Sequence, residues 1–228
     1  QTILLLDARL VGQGASGRNS GFAVGITHFD GPFDSGKAGE YRRINRINQA
    51  GIDALRAQIT RHGIECQWRE DGIHYAAADH LAIQERENFL PYLEAMEISH
   101  TPLDTEMLHS RLGTALYRTG VHVHPGALLH PAALVHGLAD SLPGNIVLHE
   151  QSPVLAINPG RPLSLELPGG TVQTDKLLLA TNNEAAKLGF QRYALTGSTL
   201  SGSFTRVLND AEFASMGSLG EWGILSLH

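Results

Sequence analysis

The segment that most limits how this chain can fold is its first apolar run, Thr2-Ile3-Leu4-Leu5-Leu6, which stops at Asp7. A short run with no alternation of polar and apolar residues predicts a strand buried on both faces, as in a parallel sheet. It is followed by Gly12-Gln13-Gly14-Ala15-Ser16-Gly17-Arg18-Asn19-Ser20-Gly21, a stretch of small residues that reads as a loop.

Helical spacing appears next. Tyr41, Ile44, Ile47, Leu55 and Ile59 recur through Glu40–His62, and Gly63 is a helix stop. Glu65–Ala77 reads as a strand. Asp79 is placed to cap a helix reaching about Ile98, kinked or split at Pro91. A short helix is expected after Asp104. Val121–His124 alternates as a strand does, and Pro131–Leu142 reads as a helix opened by proline. Further strands are expected at Asn145–Glu150, Val154–Asn158, Leu163–Leu167, Thr171–Thr174 and Lys176–Ala180. Pro159-Gly160 and Pro168-Gly169-Gly170 mark the turns among them. A Ser/Thr-rich strand is expected over Ser198–Thr205. Helices mixed with strands predict an α/β or α+β fold.

Composition narrows the function classes. The 228 residues suffice for one or two domains, and 42% hydrophobic with 18% charged residues excludes a disordered, collagen-like or coiled-coil chain. A balance of 17 basic against 23 acidic residues argues against a general nucleic-acid surface. No apolar run is long enough for a membrane span. Cys66 is the single cysteine, which excludes an intramolecular disulfide and points to a reducing compartment, the cytoplasm.

Two features can carry chemistry. Asp7 closes the first strand. There it either caps a turn or accepts hydrogen bonds from the ribose of a dinucleotide, as acids at the end of a second strand do. Gly14–Gly21 is either a surface loop or a place where backbone N–H groups approach an anion. Arg18 would then add a charged contact, and Asn19 a donor and an acceptor toward a heterocycle. Gly12-Gln13-Gly14-Ala15-Ser16-Gly17 spells GxGxxG but comes after the acid instead of about 20 residues before it, so it is not read as the dinucleotide fingerprint.

Together, as the continuous stretch Leu4–Gly21, these residues resemble the second-strand region of the FAD-dependent D-amino-acid oxidase, glycine oxidase and sarcosine oxidase superfamily. The likeness is greatest to its bacterial GASGRNGG branch, which includes gamma-glutamylputrescine oxidoreductases; Ser20 stands where that motif has glycine. Downstream, Glu65–Gly72, Gly120–Pro125, Leu134–Ala139, Val154–Ile157 and Leu177–Asn182 resemble further family segments, so the likeness covers essentially the whole chain.

The resemblance implies an incomplete Rossmann-like FAD domain made of residues 1–64 and 126–190. Residues 65–125 and 191–228 would belong to a substrate domain built on an antiparallel sheet. It implies FAD contacts from Asp7, Arg9, Ala15, Ser16, Gly17, Arg18, Asn19, Ser20, Gly21, Val154, Ala180 and Thr181. It further implies oxidation of an amino acid or amine by hydride transfer to the flavin. The family opens with a strand–GxGxxG–helix unit and ends in closing strands. Neither lies within these residues, so the chain is expected to be cut at both ends and to associate with itself through open sheet edges. Catalytic residues are not transferable onto it.

Two other functions are weighed. One is a truncated relative without cofactor, acting as a non-catalytic module. The other is a metal-dependent hydrolase using His122 and His124, which share a strand face as an HxH metal pair would. No cysteine or carboxylate cluster completes that ligand set, and the resemblance instead places His124 toward flavin or substrate. His130 and His136 complete the histidine set. Cys66 reads as a packed thiol, and Arg42, Arg43 and Arg46 read as the solvated face of the long helix.

Overall fold

The computed structural model describes residues 1–27, 31–197, 202, 206–215 and 223–227. Strand β1 (Ile3–Leu6) leads into the glycine-rich segment, which makes one 3-10 turn (Ala15–Gly17) before β2 (Phe22–Ala23). Then follow α1 (Ala38–His62), β3 (Ile73–Ala77), α2 (His80–Ala95), β4 (His100–Leu103), α3 (Thr105–Leu112), β5 (Thr119–Val123), β6 (Ala127–Leu128) and α4 (Pro131–Asp140). After them come β7 (Ile146–His149), β8 (Ala156–Asn158), β9 (Leu163–Leu167), β10 (Gly170–Thr174), a 3-10 segment (Asn182–Ala186), α5 (Asp210–Ser215) and β11 (Ile224–Ser226).

Helix ends follow local chemistry. Gly63 stands in the left-handed region at φ 61 and closes α1. The carboxylate of Asp79 accepts from the N–H groups of Leu81 and Ala82, and that of Asp104 accepts from Met107. α2 passes through Pro91 as one helix and stops at Ala95, short of Ile98. Glu97 adopts φ 55, so the N–H groups of Glu97 and Ile98 turn back to Glu94 O and Leu93 O. A glutamate in the position that glycine usually fills leaves no mark in the sequence.

Among the described residues the strands form four sheets. β1 and β7 pair in parallel, Ile3 with Ile146 through Leu6 with His149. β8, β9 and β10 make an antiparallel meander, and β2 pairs with β6. The four-stranded sheet runs β11-β3-β5-β4. Within it β3, β5 and β4 are antiparallel, and β11 joins β3 in parallel, so the sheet is mixed.

This sheet carries the core. Alternation sends Val121 and Val123 toward α2, where Phe89, Tyr92 and Leu93 are buried against them with Ile26. Tyr41 of α1 meets Tyr92 edge to face at 5.5 Å. On the opposite face Ala76 packs with Leu103 and with Leu108 of α3.

Three strand expectations change. β1 is parallel as expected but not buried, since Ile3, Leu4 and Leu5 are 49%, 40% and 41% exposed. Its sheet has two strands, and little covers them. Lys176–Ala180 forms no strand and Leu178 is 90% exposed, because an apolar run becomes a strand only where another backbone pairs with it. Glu65–Ala77 is a strand only from Ile73. Gln67 at φ 54 breaks the extended course, and Arg69 forms an isolated bridge to Leu128. Of Ser198–Thr205, only Gly202 lies among the described residues.

Candidate functional site

Ligands of parallel α/β sheets bind outside the carboxyl ends of the strands. Asp7 and Glu150 follow β1 and β7 at that end. Asp7 N–H donates to His149 O at 3.0 Å, Ser152 N–H to Asp7 O at 2.8 Å and Gln151 N–H to Arg9 O at 3.1 Å. These bonds lace residues 7–9 to 149–152. Glu150, which the sequence reading did not single out, receives the Val11 N–H on its carboxylate. It repeats the Asp7 pattern, an acid closing an apolar run, and that repetition was the available signal.

Asp7 is half-buried, and its Oδ1 accepts the Arg9 N–H at 2.9 Å. It therefore caps the turn after β1. Oδ2 has no hydrogen bond to a described residue and remains open to a second partner.

The glycine-rich loop is folded against itself. A Cβ on Gly17 would stand 2.1 Å from Gly12 O, and Gly17 is buried. Gly12, at φ 79, lies under the His136 ring, whose Nε2 would be 3.1 Å from an added Cβ. Gly21, also at φ 79, would clash with Leu129 O at 2.1 Å. The 3-10 turn packs on α4. Asn19 is directed inward: Nδ2 donates to Ala15 O at 3.2 Å and Ser16 O at 2.8 Å, and Oδ1 accepts from Gly21 N at 2.9 Å. Both ends of the carboxamide are thus engaged by the loop, which gives Asn19 a structural role. The segment opens into a 3-10 turn and then a strand, not the long helix that follows a true GxGxxG unit.

Ala15, Ser16, Arg18 and Ser20 are exposed on this loop, and Ser16 and Arg18 supply a hydroxyl and a guanidinium without side-chain hydrogen bonds to described residues. Val154 lies two residues beyond Ser152, in the same laced region but ahead of β8. Ala180 and Thr181 are exposed, and no described hydrogen bond joins them to Asp7 or the loop.

The histidines are placed on the other sheet. His74 of β3 stacks on His122 at 4.2 Å, and His122 lies 4.9 Å from the His124 ring. Arg111 Nη1 donates to His74 Nε2 at 2.8 Å. His122 Nε2 bonds Asp71 O at 2.6 Å, and His124 Nε2 bonds Thr101 Oγ1 at 2.9 Å. Burial is the first cause that lowers the pKa of His74, to about 4, and that of His122. Among the described residues no group of three or more His, Cys, Asp or Glu could hold a metal ion, so the HxH pair does not become a metal site. The Nε2 atom of each ring is taken, by a backbone and a hydroxyl oxygen respectively. His130 caps α4, and His136 supports Gly12.

Cys66 is buried and free, and burial raises its thiol. Arg42, Arg43 and Arg46 of α1 separate. Arg42 and Arg46 line a cleft with Gly25 and Ile26, whereas Arg43 does not.

A family model described as "DAO: FAD dependent oxidoreductase" matches residues 1–203. The chain belongs to this DAO family. No curated protein matches it. The fold is also found among solved structures. Glycine oxidase from Geobacillus kaustophilus superposes with a TM-score of 0.62 at 18% identity, over 82% of this chain and 50% of that one. L-alpha-glycerophosphate oxidase from Mycoplasma pneumoniae, solved with FAD bound, gives 0.62 at 15% identity over 82% and 49%. L-amino acid deaminase from Proteus myxofaciens gives 0.57 at 14% identity over 82% and 41%. The chain thus spans about half the length of these structures or less. FAD is the cofactor of the DAO family, and the open Oδ2 of Asp7, the Ser16 hydroxyl and the Arg18 guanidinium are a donor and acceptor set suited to a ribose and a diphosphate. No helix among the described residues is long and apolar enough to cross a membrane.

Proposed function

We propose that the protein takes part in FAD-dependent oxidation of a C–N bond in an amino acid or amine. The observation that carries this reading is the joining of family membership to an acid-ended parallel strand whose glycine loop returns onto α4. When bound, FAD accepts a hydride from the carbon bearing nitrogen. The chain's residues position it. Asp7 Oδ2 accepts a ribose hydroxyl, and Arg9 N–H holds the carboxylate in place from its other oxygen. Ala15–Gly21 borders the pyrophosphate-to-flavin path, with Arg18 providing the charge and Asn19 and Gly17 keeping the loop closed. Val154, Ala180 and Thr181 flank the adenine end, and His124 faces flavin or substrate.

In this reading residues 1–64 and 126–190 form the FAD-binding part and residues 65–125 and 191–228 the substrate part. The glutamylated-polyamine branch is favoured by Gly14–Asn19. The exposed apolar surface of Ile3, Leu4, Leu5 and Val147 supports self-association through sheet edges, and the free buried thiol supports a cytoplasmic setting.

Titrating FAD into the protein and following flavin fluorescence tests the cofactor site. Asp7→Ala and Arg18→Ala should each weaken binding about tenfold, in line with loss of one charge-assisted contact. Wild-type affinity in both variants would refute the assignment. No FAD binding by the wild type would favour the cofactor-less module.

A further inference from the structure

We propose that the cleft between α1 and the Gly25–Ile26 segment binds a small organic carboxylate with an apolar tail. The cleft holds about 300 Å³, at the lower end for small-molecule sites. Arg42, Asn45 and Arg46 form one wall, and Ile26, Met96 and Ile98 supply the apolar surface.

Arg42 and Arg46 are four residues apart on α1, which puts two guanidiniums one above the other on the same helix face. Neither forms an ion pair with a described residue. Farther along the same helix, Arg56 is held by Asp53 and Glu70. Two like charges in register repel unless an anion lies between them, and the planar guanidinium is suited to a carboxylate.

The wall is fixed in place. Asn45 Oδ1 accepts from Thr27 N at 2.7 Å and from the Tyr92 hydroxyl at 2.9 Å, which ties this face of α1 to the core. Beside it, Ile26 is 4% exposed, and Met96 and Ile98 are half-buried. An inorganic anion would meet the guanidiniums and leave the apolar side wet. A carboxylate with an alkyl tail meets both. The site requires no flavin, so its test is independent of the oxidoreductase reading.

Hexanoate is the probe, titrated into the protein and followed by amide NMR shifts. Hexanamide keeps the tail without the charge, and inorganic phosphate keeps the charge without the tail. Hexanoate should bind at least about tenfold more tightly than either, and Arg42→Gln with Arg46→Gln should lose at least about tenfold of that affinity. Arg43→Gln, off the cleft, should bind as the wild type does, and circular-dichroism melting of all variants should be unchanged because the side chains are exposed. The proposal is overturned if hexanoate binds no better than phosphate or hexanamide. It is equally overturned if the double variant retains wild-type affinity, or if Arg43→Gln weakens binding as much.

Discussion

Acidifying the protein from pH 7 to pH 5 should destabilise it markedly through one side chain. His74 is 3% exposed, and its pKa is lowered from 6.5 to about 4, first by burial and then by the charges of His122 and Arg111. Arg111 donates to Nε2 of His74, a bond only the neutral ring can accept. In the unfolded chain the same imidazole titrates near 6.5. Between those values the unfolded state takes up a proton that the folded state refuses, so stability present above pH 6.5 is lost as pH falls toward 4. At about 1.4 kcal/mol for each pH unit, the loss is about 2 kcal/mol at pH 5 and about 3 kcal/mol at pH 4.

Urea unfolding at pH 7 and pH 5, followed by circular dichroism, measures this. His74→Gln keeps an acceptor for Arg111 and removes the titration. The variant should lose about 2 kcal/mol less than the wild type over the same interval. Other groups titrate in both proteins, so the difference isolates His74. Equal pH dependence in the two, or an NMR titration of His74 above pH 6, would refute the reasoning.

The glycine loop and a helix cap supply two more tests. Gly21→Ala combines φ 79 with a Cβ 2.1 Å from Leu129 O and should cost at least about 2 kcal/mol in urea unfolding. Gly14→Ala, at φ −81 with nothing within 4 Å, should leave stability unchanged in the same assay. Asp79→Ala removes the acceptor for two N–H groups at the start of α2 and should cost about 1 kcal/mol, read as a lower urea midpoint.

Features governed by neighbouring residues were legible in the sequence. Asp79, Asp104 and Gly63 mark helix ends because a cap acts within one turn, and Pro131 opens α4 for the same reason. The β9–β10 turn at Pro168-Gly169 was legible too. Features governed by distant partners were not. Ile3–Leu6 and Lys176–Ala180 have equally strand-like composition, yet only the first finds a backbone to pair with. In the candidate site, Asp7 was identifiable by its position after an apolar run. The bonds of Asn19 to the carbonyls of Ala15 and Ser16 were not legible, because those carbonyls come within reach only after the loop has turned. Arg42 and Arg46 could not be told from Arg43 until the packing of α1 showed which side meets the cleft.

The pairing of Ile3 with Ile146 and of His74 with Ile224 has a kinetic consequence. On the ribosome β1 emerges long before β7, and β3 long before β11. Closing such wide loops requires a search that local hairpins such as β9–β10 avoid. The nascent chain should therefore carry Ile3–Leu6 unpaired until β7 has emerged, and one open edge of Ile73–Ala77 until β11 has emerged. That makes these two strands the segments on which a holding chaperone would act, and the first to aggregate when translation stalls.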